Sequence, residues 1–330
     1  MRSDNRSLRT PRPHDANFSD GQILGGDPGG AMKVAGFTFI RNAVTYDFPV
    51  VEAITSVLPL CDSFYVALGR SDDATEALIR SIDPLKIRII PTEWDEGLTR
   101  GGEVYASETN KAFDAIPADA DWCFYIQGDE VLHENDLAKV REAMAQWLDH
   151  PEVEGLLFDY LHFYGNFDHV GDSRHWYRRE VRVIRNNKSI RSYRDAQGFR
   201  REGQKIRVVP SGASIYHYGW VRHPLYMQRK IDAVSQFYTG ISPEEAERKA
   251  LEQEFDYGGH YDAVARFQGT HPRVMEERIK RLNWKANLDV NRKRMSLRYR
   301  LLYYFEKLTG IRPFEFRNYK LLSHSSAWRS

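Results

Sequence analysis

Apolar residues in the first half of the chain fall into short runs divided by turn-forming residues, and the runs alternate between two periods. MKVAGFTFI (32–40), SFYVALG (63–69), KIRIIPTEW (86–94) and WCFYIQGDE (122–130) are rich in β-branched and aromatic residues and predict strands. Between them, residues 48–58 set Val50, Val51, Ile54, Val57 and Leu58 on one side of a helix. TEALIRSI (75–82) reads as a second helix behind Asp72 or Asp73 as cap, and EVYASETNKAFDAI (103–116) as a third. Strands alternating with helices at this interval predict a doubly wound, parallel sheet with right-handed crossovers.

After a fourth helix at about 135–148 the alternation stops. GLLFDYLHFYG, REVRVIRN, KIRVVPSG and ASIYHYGW are strand-like with little helical sequence between them, which predicts a mixed or antiparallel extension of the sheet. From residue 224 the pattern turns helical, and between 278 and 320 basic residues far outnumber acids, interleaved with Trp284, Tyr299, Tyr303, Tyr304, Phe305, Phe314, Phe316 and Tyr319. Three regions follow: a polar tail expected to be disordered (1–31), an α/β domain (32–223) and a helical, basic and aromatic extension (224–330).

Charge and cysteine usage narrow the function classes. Lys and Arg (47) nearly balance Asp and Glu (46), so no global field points to nucleic acid. The basic C-terminal region is read either as a peripheral membrane contact or as a packed helix with a solvated basic face. Cys61 and Cys123 lie in apolar surroundings, far apart in sequence, and read as buried thiols. No run reaches membrane-spanning length and the first residues lack a secretory segment. Cytoplasmic residence, with peripheral contact at the inner face of the membrane, is the expectation.

Familiar nucleotide motifs are missing. FTFIRNAV follows the first strand where a dinucleotide fold carries its Gly-rich turn, and GxxxxGK[ST], GxSxG and HExxH do not occur. Polar groups instead cluster at the strand ends: Arg41 and Asn42, then Ser71 to Asp73, Arg100 to Gly102, and Gln127 to Glu130. In an open α/β sheet those ends face one crevice. Asp129 and Glu130 read either as carboxylates for chemistry or as the end of a strand that leads into an acidic helix start, where Glu134 and Asp136 favour the helix N-terminus.

In order and spacing, TFIRNA, GRSDDAT and IQGDE resemble the strand-end motifs of the family 2 glycosyltransferases. The resemblance covers about residues 32–238. It implies a GT-A-like, Rossmann-type α/β sandwich and transfer of a sugar from a nucleoside-diphosphate donor to a hydroxyl of a glycan, polysaccharide or lipid-linked acceptor, with inversion. It implies Asp129 and the late His217 of IYHYGW as ligands to Mg²⁺ or Mn²⁺, with Gln127 standing where the family has the first acid of Asp-x-Asp. Phe39, Arg41, Asn42, Ser71, Asp73, Arg100 and Gln127 are the implied donor-binding residues.

An inverting transferase also needs a general base, for which Asp195 in SYRDAQGFRREG is the lead and Glu202 the reserve. A turn aspartate bonded to its own backbone is the structural alternative. His162, Tyr164, His175, Trp176 and Tyr177 read as an acceptor-site lining or as half-buried strand aromatics, and Arg178, Arg179, Arg182 and Arg185 as phosphate holders or solvated charges. Two other functions stay open: a nucleotidyltransferase of related fold, and a non-catalytic binding module that keeps the fold.

Overall fold

The computed structural model describes residues 32–239 and 254–322; the expected tail, 1–31, lies outside them. Parallel strands β1 (Val34–Ile40), β2 (Ser63–Gly69), β3 (Ile87–Thr92) and β4 (Trp122–Tyr125) stand in the order β3-β2-β1-β4, linked by helices α1 (Val50–Val57), α2 (Thr75–Arg80) and α3 (Glu103–Asp114). Side chains of β4 alternate between two buried cores. Trp122 and Phe124 join one with α1 and α4 (Leu137–Gln146), while Cys123 and Tyr125 join the other with α3. A strand covered on both faces reads as a continuous apolar run, which is why WCFY carries no polar alternation.

The mixed extension is also present. β8 (Arg179–Arg185) pairs antiparallel with β4, β6 (Gly155–Tyr164) antiparallel with β8, and β12 (Arg207–Trp220) parallel with β6. KIRVVPSG and ASIYHYGW are thus one strand, interrupted by a register shift between Pro210 and Ser214. Two short strands, β7 (His169–Gly171) and β13 (Val264–Arg266), extend the edge beyond β6. The predicted fourth strand is shorter than its sequence run. It stops at Tyr125, residues 127–129 turn, and β5 (Glu130–Leu132) leaves antiparallel against β12. That turn sets Asp129 at the carboxyl end of the sheet beside His217.

A separate three-stranded sheet, β9 (Ile190–Tyr193), β10 (Gly198–Arg201) and β11 (Gln204–Lys205), holds the loop bearing Asp195. α5 (Pro224–Thr239) follows β12 after a three-residue turn and covers the carboxyl ends of the strands. The described residues beyond it hold the short helix α6 (Glu276–Lys280), α7 (Leu297–Thr309), the two-residue strand β14 (Lys320–Leu321) on β12, and much irregular chain. Both cysteines are free and buried, and burial pushes the Cys61 thiol up to about 12.

Candidate active site

A crevice enclosing about 340 Å³ opens at the carboxyl ends of β1 and β4. Of the residues expected there, Phe39, Arg41, Asn42, Gln127, Asp129, Asp195 and His217 line it. Four do not. Ser71 and Asp73 tie two loops together: the Ser71 hydroxyl accepts from Asn42 N (3.0 Å), and Asp73 accepts from Thr45 N (2.7 Å) and Thr75 N (2.9 Å). Their oxygens are spent on backbone donors, which explains the Ser-Asp-Asp-Ala-Thr sequence without a ligand. Arg100 is exposed on the loop before α3, outside the crevice lining. Glu202, at φ 51° in the β10–β11 turn, lines a different cavity with Arg200 and Lys205, so it does not face the same chemistry as Asp195.

Asp129 and Glu130 have opposite roles. Glu130 is fully buried and bound by both sides of the Arg182 guanidinium, at 2.7 Å from Nε and 2.6 Å from Nη2, and by the Tyr160 hydroxyl. This bidentate pair ties β5 to β8 and explains why Arg182 holds no phosphate. Arg178, Arg179 and Arg185 are likewise engaged, with Glu315, Asp159 and the Val153 carbonyl.

Asp129 faces the crevice among cations. Its Oδ2 lies 3.0 Å from Lys230 Nζ and 3.9 Å from Arg222 Nη2, and its Oδ1 3.8 Å from His217 Nε2. Burial alone would raise its pKa, but Lys230, His217 and Arg222 outweigh that and hold the carboxyl well below the usual range. Lys230 is driven down to about 8, by its own burial and then by Arg222, with Asp129 opposing both. Both partners of the ion pair thus shift downward for different reasons: Lys230 through its burial and then the repulsion of Arg222, Asp129 through the cations around it.

His217 and His162 are both kept neutral by burial. Their tautomers follow from the hydrogen bonds. The Tyr177 carbonyl only accepts, so His162 donates through Nε2 (3.0 Å) and accepts at Nδ1, where His217 Nδ1 donates at 3.1 Å. The lone pair of His217 Nε2 is left on the Asp129 side.

The second carboxylate is conditioned differently. Burial raises the Asp195 carboxyl above its ordinary value, against hydrogen bonds from its own backbone, Gln197 and the Tyr238 hydroxyl. Its loop is tethered by Gln127, whose Nε2 donates to the Tyr125 hydroxyl (3.2 Å) and the Ala196 carbonyl (3.4 Å). The amide in the place of an acid therefore braces the loop of the candidate base. Gly102, at φ 69°, lets that loop close: a Cβ there would sit 2.8 Å from Asp195 Cβ and 2.9 Å from Tyr238 Oη.

An aromatic wall completes the crevice. Phe39 stacks on Tyr105 with centroids 5.6 Å apart, Phe237 lies 5.7 Å from Tyr105, and the Arg41 guanidinium lies 5.2 Å from the Trp94 centroid. Trp94, Tyr105, Phe237, Tyr238, Lys230 and Arg222 escaped the sequence reading, being spread over three segments. The one local signal is HYGWVRHPLYMQRK, in which a strand ending at the site passes through Arg222 and a helix-initiating Pro224 to Lys230 two turns on.

The expected Mg²⁺ or Mn²⁺ ligands can be tested on this donor set. Asp129 Oδ1 and His217 Nε2 offer two donors, but the one carboxylate is already shared by the ammonium of Lys230 and the guanidinium of Arg222. Like charges 4 Å apart repel by about 4 kcal/mol per unit pair at an effective dielectric of 20. A hard divalent cation seeks anionic oxygen, and Gln127 brings no charge. Among the described residues no group of three or more His, Cys, Asp or Glu side chains is disposed to hold a metal ion. Asp129 and His217 thus form a two-donor set on a carboxylate already engaged by two cations, a poor fit to a resident divalent cation.

No family model matches the chain, and no curated protein matches it. Among solved structures it is similar to TarS residues 1–349 of S. aureus, at 13% identity and a TM-score of 0.33 over 66% of this chain and 69% of that one. It is also similar to glucosyl-3-phosphoglycerate synthase of Mycobacterium tuberculosis in complex with Mn²⁺, UDP and phosphoglyceric acid, at 19% identity and 0.27 over 41% and 44%. Galactosyltransferase LgtC with donor and acceptor sugar analogs gives 16% and 0.27 over 39% and 46%. Likeness of this degree leaves the function to be argued from the chain's own residues.

Proposed function

We propose that this chain is a GT-A-like glycosyltransferase that moves a sugar from a nucleoside-diphosphate donor to an acceptor hydroxyl with inversion. One observation carries the reading: two carboxylates share a crevice at the strand ends, and their surroundings push their pKa values apart, Asp129 down and Asp195 up. Such a split assigns a permanent anion and a proton acceptor to one site. Asp129 orders the cations that face the diphosphate, and the aromatic wall with Arg41 receives the base.

In the reaction the acceptor oxygen attacks the anomeric carbon and the bond to the diphosphate breaks. The hydroxyl proton passes to the Asp195 carboxylate, whose raised pKa brings it nearer the operating pH. The donor leaves as a nucleoside diphosphate. Asp195→Asn tests the assignment: transfer should fall by about 100-fold or more, with donor affinity in calorimetry nearly unchanged. Loss of donor binding in that variant would make Asp195 a binding group and remove it as base.

The acceptor is a glycan or lipid-linked hydroxyl near a membrane surface. Supporting this, Leu297, Leu301, Tyr304 and Leu308 project from α7 at helical spacing, with exposures of 73%, 65%, 51% and 86%, among Arg298, Arg300 and Lys307. No helix among the described residues is long and apolar enough to cross a membrane.

A further inference from the structure

Lys230 and Arg222 have no role in the expectations drawn from the sequence, yet they are the cations that meet Asp129. Lys230 Nζ donates to Asp129 Oδ2 at 3.0 Å and to the Gly219 carbonyl at 2.9 Å. An ammonium has three N–H groups, so one remains, and Lys230 lines the crevice. Arg222 stands behind it, completely buried. Its Nη1 donates to the Tyr46 carbonyl at 2.7 Å, while Nε and Nη2 find no hydrogen-bond partner among the described residues. A buried guanidinium with two orphan donors is costly unless its charge serves something. Phe48, itself on the crevice wall, lies against both cations, its ring centroid 4.5 Å from Arg222 Cζ and 5.1 Å from Lys230 Nζ.

Resting on the donor reading above, we propose that Lys230, backed by Arg222, binds and neutralises the donor diphosphate in place of a divalent cation. The free N–H of Lys230 reaches a diphosphate oxygen, and the charge that grows on the leaving group as the glycosidic bond breaks meets a fixed ammonium. Asp129 then acts as a positioning residue. It holds Lys230 at the carboxyl end of the sheet and keeps two neighbouring cations from repelling each other out of the site. Gln127 fits the same arrangement, since a site with its own cations has no need of a second acid.

Calorimetry on the full chain with UDP, GDP, CDP, ADP and inorganic pyrophosphate, each in EDTA and again in Mn²⁺, tests this. The expected result is binding in EDTA that Mn²⁺ changes by less than about threefold, lost by about 10- to 100-fold in Lys230→Met and largely restored in Lys230→Arg, with circular dichroism unchanged throughout. Binding that requires Mn²⁺ and is indifferent to Lys230→Met overturns the proposal and returns Asp129 and His217 to the metal. Pyrophosphate binding that depends on Lys230, without binding of any nucleotide, upholds the cation assignment and overturns the donor reading. Failure of every probe to bind overturns both.

Discussion

Replacing Arg182 by Met isolates the structural half of the Asp129-Glu130 pair. Arg182 and Glu130 are both fully buried, and the substitution removes contacts of 2.7 and 2.6 Å from the two carboxylate oxygens while keeping most of the apolar stem. The Tyr160 hydroxyl and Gln127 N remain as donors to Glu130, but neither carries charge. Stranding a buried charge in this way costs about 3–5 kcal/mol. Urea unfolding followed by tryptophan fluorescence and circular dichroism should show the midpoint fall with little change in slope. The double variant Arg182→Met/Glu130→Leu removes the stranded charge, so it should recover much of the loss, with a coupling energy of about 2 kcal/mol or more. A cost below about 1 kcal/mol for the single change, or additivity within about 0.5 kcal/mol in the cycle, would refute the reasoning.

Glu180 on β8 is buried with Oε2 unpartnered, and desolvation first, then Glu130 and Asp195, push its carboxyl up to about 8 from the ordinary 4.5. The folded state therefore holds a proton that the unfolded chain has released: this contribution is full below pH 4.5 and is lost as pH rises through about 8. Glu180→Gln should flatten thermal stability across that window and raise it on the order of several kcal/mol at its upper end; an unchanged pH profile would count against it. Gly102→Ala places a methyl against Asp195 and Tyr238 at positive φ. It should cost about 1–2 kcal/mol and lower the rate of transfer with little effect on donor affinity, the reverse split showing that the loop does not position the base. Vesicles containing anionic lipid should co-sediment the chain at low salt, and Leu301→Glu with Leu308→Glu should abolish this; binding that survives the pair would place the contact elsewhere.

The parallel half of the fold was legible because β1 to β4 are short, doubly buried runs whose periodicity differs from that of the helices between them. The boundary at residue 223 was less so. Pro224 does begin a helix, but α5 returns to the sheet and carries Lys230 and Tyr238 into the crevice, a tertiary contact without a local signal. Strand-end reasoning found Arg41, Asn42, Gln127 and Asp129 because topology alone delivers them to one place. It also placed Ser71 and Asp73 there, whose side chains are consumed by loop backbone, and it could not separate Asp129 from Glu130. Adjacent residues at a strand start point to opposite sides, and which of them meets Arg182 depends on β8, fifty residues later in the chain.

His217, Arg222, Lys230 and Tyr238 sit on one unbroken stretch, the end of β12 and the helix it feeds. That helix is pinned to the opposite wall by the Gly102 amide, which donates to the Phe237 carbonyl at 3.2 Å. A tilt of α5 away from the sheet would withdraw the ammonium from Asp129 and release Asp195 from Tyr238 in a single movement. On the proposed reading, release of the nucleoside diphosphate and displacement of the candidate base from its place would be mechanically one event.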